Sequence, residues 1–91
     1  PGLSREAAQW LAEQGVVAIG ADNWDIDAVP PTEPRRRDVH EVCLADRGIY
    51  LIENLNLEEL AKDRVYEFLF IALPTRLKGG TGFPIEPVAV I

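Results

Sequence analysis

His40 and Glu53 are the residues of this sequence whose types and spacing best suit metal chemistry. They stand on either side of the run Gly48-Ile49-Tyr50-Leu51-Ile52, and His40 is the only histidine in the chain. A neutral imidazole and a carboxylate are natural ligands for zinc or manganese. Two donors do not hold a catalytic ion, which needs three or four protein ligands and supporting hydrogen bonds. The sequence alone offers no obvious third. Spacing by itself leaves two readings open: half of a metal site, or a surface histidine on a first helical turn beside an ordinary strand-end carboxylate.

Other candidate chemistry is thinner. Ser4 is the only serine and reads as a helix cap, which argues against a Ser-His-Asp relay. Cys43 lies between Val42 and Leu44 and reads as a buried, inert thiol, although His40 three residues earlier leaves a catalytic cysteine open. Asp22, Asp25 and Asp27 approach the spacing of a calcium loop, but lack the glycine after the third acid and the distal bidentate glutamate. Gly79-Gly80-Thr81-Gly82 could offer backbone N–H groups to an anion. It lacks the Lys-Ser/Thr ending of a P-loop and leads into no helix, so it reads as a tight connection. Trp10 and Trp24 read as core or interface residues.

The elements that would position these residues follow from pattern. Ser4 caps a helix whose apolar residues Ala7, Ala8, Leu11 and Ala12 share one face, with Gly15 ending it. Val16 to Ile19 is a short, wholly apolar strand of the kind buried on both faces. Residues 20 to 37 form a long irregular stretch in which Pro30, Pro31 and Pro34 forbid regular structure, and a loop of that length is usually functional or partner-bound. Asp38 caps a second helix running to about Ala45 and stopping at Gly48, with His40 in its first turn. Strand Ile49 to Ile52 follows. Asn56 caps a third helix, with Glu59 at the capping-box position and Leu57, Leu60 and Ala61 facing inward. Tyr66 to Leu73 is a strongly apolar strand and Val88 to Ile91 a last one. The order predicts an α/β chain, a mixed sheet with packed helices.

Length and charge bound the function. Ninety-one residues make one small domain, and 47% apolar residues are enough for a core. Fifteen acidic against 9 basic residues give a net charge of -6, which argues against a nucleic-acid partner. Arg35-Arg36-Arg37 is the one basic cluster, either a solvated loop or an anchor for an acidic partner. A single cysteine allows no internal disulfide and fits a reducing, cytoplasmic setting. No apolar run approaches the ~20 residues needed to span a bilayer, so no membrane partner is expected, and the start shows no signal-peptide pattern.

Five segments in order carry a resemblance. They are Leu3-Ser4-Arg5-Glu6-Ala7-Ala8 with Gly20-Ala21-Asp22-Asn23-Trp24-Asp25-Ile26-Asp27; Gly48-Ile49-Tyr50-Leu51-Ile52-Glu53-Asn54-Leu55; Tyr66 to Pro74; and Gly79 to Ala89. Together they resemble the C-terminal half of the cyclase family of metal-dependent hydrolases, which includes kynurenine formamidases and isatin hydrolases. The resemblance implies a swivelling β/β/α fold, of which residues 1–91 would be one partial domain. It also implies zinc or manganese, and hydrolysis of an amide, formamide or lactam bond in a small molecule. By the same resemblance His40 and Glu53 are metal ligands, with proton transfer as their other possible role. The family's first ligands come from a His-x-Gly-Thr-His-x-Asp motif that this sequence lacks, and its histidine-to-glutamate spacing is commonly about one residue shorter. The expectation is therefore a portion of a longer polypeptide that opens on Pro1, or a subunit completed by another chain, inactive alone and homo-oligomeric. The competing expectation is a non-catalytic assembly module that uses the apolar strand Phe68 to Leu73 and the proline-rich loop for contacts. A phosphate-ligand binder built on the glycine loop is a third.

Overall fold

Helix α1, Arg5–Glu13, begins where the sequence places it: Ser4 is extended, and its Oγ accepts the Ala7 N–H at 3.2 Å. Ala8 and Ala12 are buried on its inner face, and the chain leaves through Gly15 at φ 74°. The computed structural model describes residues 1–28 and 36–91. The three prolines of the long loop, and Arg35, lie outside the described residues.

Two compact units divide the chain, Pro1–Leu57 and Glu58–Ile91. In the first, β1 (Ala18–Gly20) pairs in parallel with β2 (Tyr50–Ile52), with Ile19 opposite Leu51. The crossover between them carries a π-helix, His40–Ala45, extended at each end by α-helical residues. Both α1 and β2 pack against this helix. The core is Ala8, Ala12, Ile19, Ile26, Val39, Val42, Cys43 and Ile49. Cys43 sits under α1 with its thiol directed at the Ala8 carbonyl, 3.6 Å away. Burial and the negative charge of Asp27 push that thiol's pKa up against the opposing pull of Arg47, so it is a poor nucleophile at neutral pH.

The second unit holds α2 (Glu58–Lys62) and an antiparallel pair, β3 (Leu69–Ile71) with β4 (Val88–Val90), in which Phe70 faces Ala89. Phe68 and Phe70 meet edge to face at 6.5 Å.

The expected mixture of helices and strands is present, but among the described residues the strands form two separate two-stranded sheets rather than one. Burial also falls short of the sequence pattern. β3 is exposed along its length, Val17 before β1 is 74% exposed, and Trp10 and Trp24 stand in solvent, which leaves of their core-or-interface reading only the interface. The apolar run from Tyr66 to Leu73 pairs over only three residues, because its partner begins after Pro87, which has no N–H to give a ladder. The glycine loop is a turn: Gly79 has φ 76°, and the Gly80 N–H returns to the Leu77 carbonyl at 3.0 Å.

Candidate metal centre

A parallel pair joined by a helical crossover puts the carboxyl ends of both strands and the amino end of the crossover helix at one edge, the usual ligand edge of such sheets. Glu53 follows the last residue of β2 directly, His40 opens the π-helix, and Asp25 lies five residues beyond Gly20 at the end of β1. The loop after β1 is drawn along the strand that follows it in space. Ala21 donates to the Ile52 carbonyl at 3.0 Å, Leu55 to Ala21 at 3.0 Å and Asn54 to Asn23 at 2.9 Å. Glu53 then reaches across, its Oε1 accepting the Ile26 N–H at 3.0 Å. The N-terminus pins the same loop from outside, where Leu3 donates to the Ile26 carbonyl at 2.9 Å. Gly2 lies so close to the Asp27 backbone that an added Cβ would stand 2.2 Å from its carbonyl oxygen.

The result is a cluster in which Asp25, His40 and Glu53 each offer one ligand atom, all within 4.8 Å of one another. Asp25 is buried and the other two are half-buried. His40 and Glu53, the two residues singled out in the sequence, thus share one site rather than pointing apart. The third donor, Asp25, was legible only as one acid of an incomplete calcium loop. Its distinguishing signal is position, since it follows the strand that pairs with the one ending at Glu53. One imidazole nitrogen and two carboxylates are a donor set that suits zinc or manganese.

A second layer surrounds the cluster. Asp25 Oδ1 accepts the Asp27 N–H at 3.1 Å and the Arg37 guanidinium at 2.8 Å. Asp27 Oδ1 accepts the Val39 N–H at 2.6 Å, and its Oδ2 meets Nδ1 of His40 and, at 3.4 Å, Nε of Arg37. Burial alone would raise the Asp27 pKa. The Val39 N–H and the His40 and Arg37 contacts outweigh it and hold the carboxyl below its usual value.

Two sequence expectations change here. Asp38 is not the helix cap: it pairs with Arg36 at 2.7 Å and Arg5 at 3.2 Å, while Asp27 caps the turn from another part of the chain. Arg36 and Arg37 are neither free in solvent nor left for an acidic partner, because both are paired with aspartates of this chain. The turn after His40 is also wound more widely than an α-helix. Asp46 donates to the Glu41 carbonyl five residues back, which takes one more residue than an α-helical bond.

The family model described as Putative cyclase matches residues 1–28. A kynurenine formamidase from Bordetella petrii is 36% identical over 80 residues, covering 88% of this chain and 35% of that protein. One from Bacillus cereus is 34% identical over 88 residues, 97% of this chain and 39% of that protein. The chain is thus similar to the cyclase family, and to kynurenine formamidases over most of its own length. A third kynurenine formamidase, from Paracidovorax citrulli, is 35% identical over 78 residues, 86% of this chain and 33% of its own length. The chain therefore spans little more than a third of the length of the relatives it matches. No solved structure gives a significant match. Among the described residues, no helix is long and apolar enough to cross a membrane.

Proposed function

We propose that this chain supplies part of the active centre of a metal-dependent hydrolase acting on an amide, formamide or lactam bond, in the manner of an arylformamidase. The observation that carries the reading is the convergence of Asp25, His40 and Glu53 at the carboxyl edge of a parallel strand pair. The names of the relatives support formamide chemistry, and the donor set supports zinc or manganese. Further ligands and much of the substrate pocket would come from residues outside this chain, contributed by the rest of a longer polypeptide or by a partner subunit. On that basis residues 1–91 are one partial domain of a cytoplasmic enzyme with the swivelling β/β/α fold, inactive alone.

When bound, a divalent ion lowers the pKa of water and polarises an amide carbonyl. This chain's residues hold and orient. His40 and Glu53 bind the ion, and Asp25 adds a buried third donor whose charge Arg37 balances. Glu53 is steadied by the Ile26 N–H, which occupies one lone pair of Oε1 and leaves Oε2 available.

The test uses a protein of the relatives' length that contains this sequence. Hydrolysis of an aryl formamide should vanish on chelation, return with zinc or manganese, and fall at least about 100-fold in Glu53→Ala. Hydrolysis indifferent to chelator would refute the proposal.

The exposed apolar strip Leu69, Phe70, Ile71, Val88 and Val90 favours a second reading, in which the fold serves assembly without chemistry. Light scattering that finds oligomers, together with no metal in the full-length protein, would favour it.

A further inference from the structure

We propose that Asp27 is the positioning residue of this site: it accepts a hydrogen bond from Nδ1–H of His40 and thereby reserves Nε2 for the metal. The inference rests on the ligand role proposed for His40 and adds how that ligand is made ready.

Asp27 is 5% exposed, and both of its oxygens are committed to the turn that carries His40. Oδ1 holds the N–H of Val39, the residue before His40, and Oδ2 holds the ring. The grip is therefore on backbone and side chain together. An ionised carboxylate only accepts hydrogen bonds, so the ring nitrogen facing it must be the one that donates. With Nδ1 protonated, the neutral ring keeps its free lone pair on Nε2.

Arg37 makes a competing claim on the same nitrogen, with Nη2 at 3.4 Å from Nδ1. A guanidinium has only donors, so that contact would require the opposite tautomer. Its length is beyond a normal N–H···N bond, whereas Asp27 is in close contact, and the carboxylate prevails. Arg37 instead serves the carboxylates, hydrogen-bonding Asp25 through Nη2 at 2.8 Å and forming an ion pair with Asp27 through Nε at 3.4 Å. The Asp27 N–H in turn bonds Asp25 Oδ1, so one tripeptide carries a candidate ligand and the group that orients another. Carboxylate partners of metal-bound imidazoles commonly act in this way.

Asp27→Asn gives a sharp test. The amide oxygen can still cap Val39, but the amide nitrogen now faces Nδ1 as a donor. The ring must answer with an acceptor, which moves its proton to Nε2. His40 is the only histidine in the chain, so long-range proton–nitrogen NMR spectra of the 91-residue protein report a single ring. Spectra taken where the ring is neutral should show the Nδ1–H form in the wild type, the Nε2–H form in Asp27→Asn, and the Nδ1–H form again in Asp27→Glu. Calorimetric titration with zinc and with manganese should show affinity falling about 10–100-fold in Asp27→Asn.

An Nε2–H ring in the wild type overturns the proposal without any variant, which also covers the case of a variant that fails to fold. An Nδ1–H ring in a folded Asp27→Asn protein overturns it as well, even if metal affinity drops. A tautomer switch with no metal bound by either protein would instead sink the ligand role of His40, and with it the purpose assigned to Nε2.

Discussion

Three donors meet at Asp27, the N–H of Val39, the ring of His40 and the guanidinium of Arg37, and their combined effect outweighs the cost of burying its charge. A carboxyl whose folded pKa is depressed contributes stability that is fully present above the unfolded value, about 3.9. That contribution is lost as pH falls through the lower folded value. Asp27→Asn should therefore flatten the acid side of the stability profile below pH ~4, as read by urea denaturation at a series of pH values. Cys43 gives a second expectation at this scale. Its thiol is fully buried and its pKa is raised, so alkylation by iodoacetamide should be negligible in the folded protein and rapid in denaturant. Fast labelling of the native protein would contradict its place under α1.

The π-helix is the element that turns a spacing into a site. Its wider winding takes up one more residue between His40 and Glu53 than an α-helical turn would. The helical turn that continues it stops at Gly48, whose φ is 66° and whose missing Cβ would meet nothing within 4 Å. Gly48→Ala should thus cost about 1–2 kcal/mol through backbone conformation alone, with metal affinity unchanged. A loss under a few tenths of a kcal/mol would show that the turn relaxes there. Much of this level was legible in the sequence. Ser4 announces α1, and a strand, a helix and a second strand in that order put His40 and Glu53 at one edge. Asp25 and Asp27 were not legible as parts of the site, because their partners lie 12 to 28 residues away and depend on a loop being drawn against β2. The extra width of the turn was hidden too, since apolar periodicity is read at 3.6 residues per turn. The apolar strands promised burial that pairing over three residues does not deliver.

At the scale of the molecule, every buried apolar side chain among the described residues belongs to the Pro1–Leu57 unit, and none to Glu58–Ile91. Amide exchange should follow that division, with protection concentrated in α1, β1, β2 and the π-helix and weak protection in β3 and β4. Ile26 ties the core to the site, because its side chain is 1% exposed and its N–H holds Glu53. Ile26→Ala should lower stability by about 2–5 kcal/mol and loosen metal binding together. The central claim is that three side chains of this chain face one divalent ion. Calorimetric titration of the 91-residue protein with zinc and manganese, beside Asp25→Ala, His40→Ala and Glu53→Ala, tests it most directly. The account predicts one weak site per chain that each substitution abolishes while the fold persists. Binding that survives all three, at unchanged stoichiometry and affinity, would contradict it.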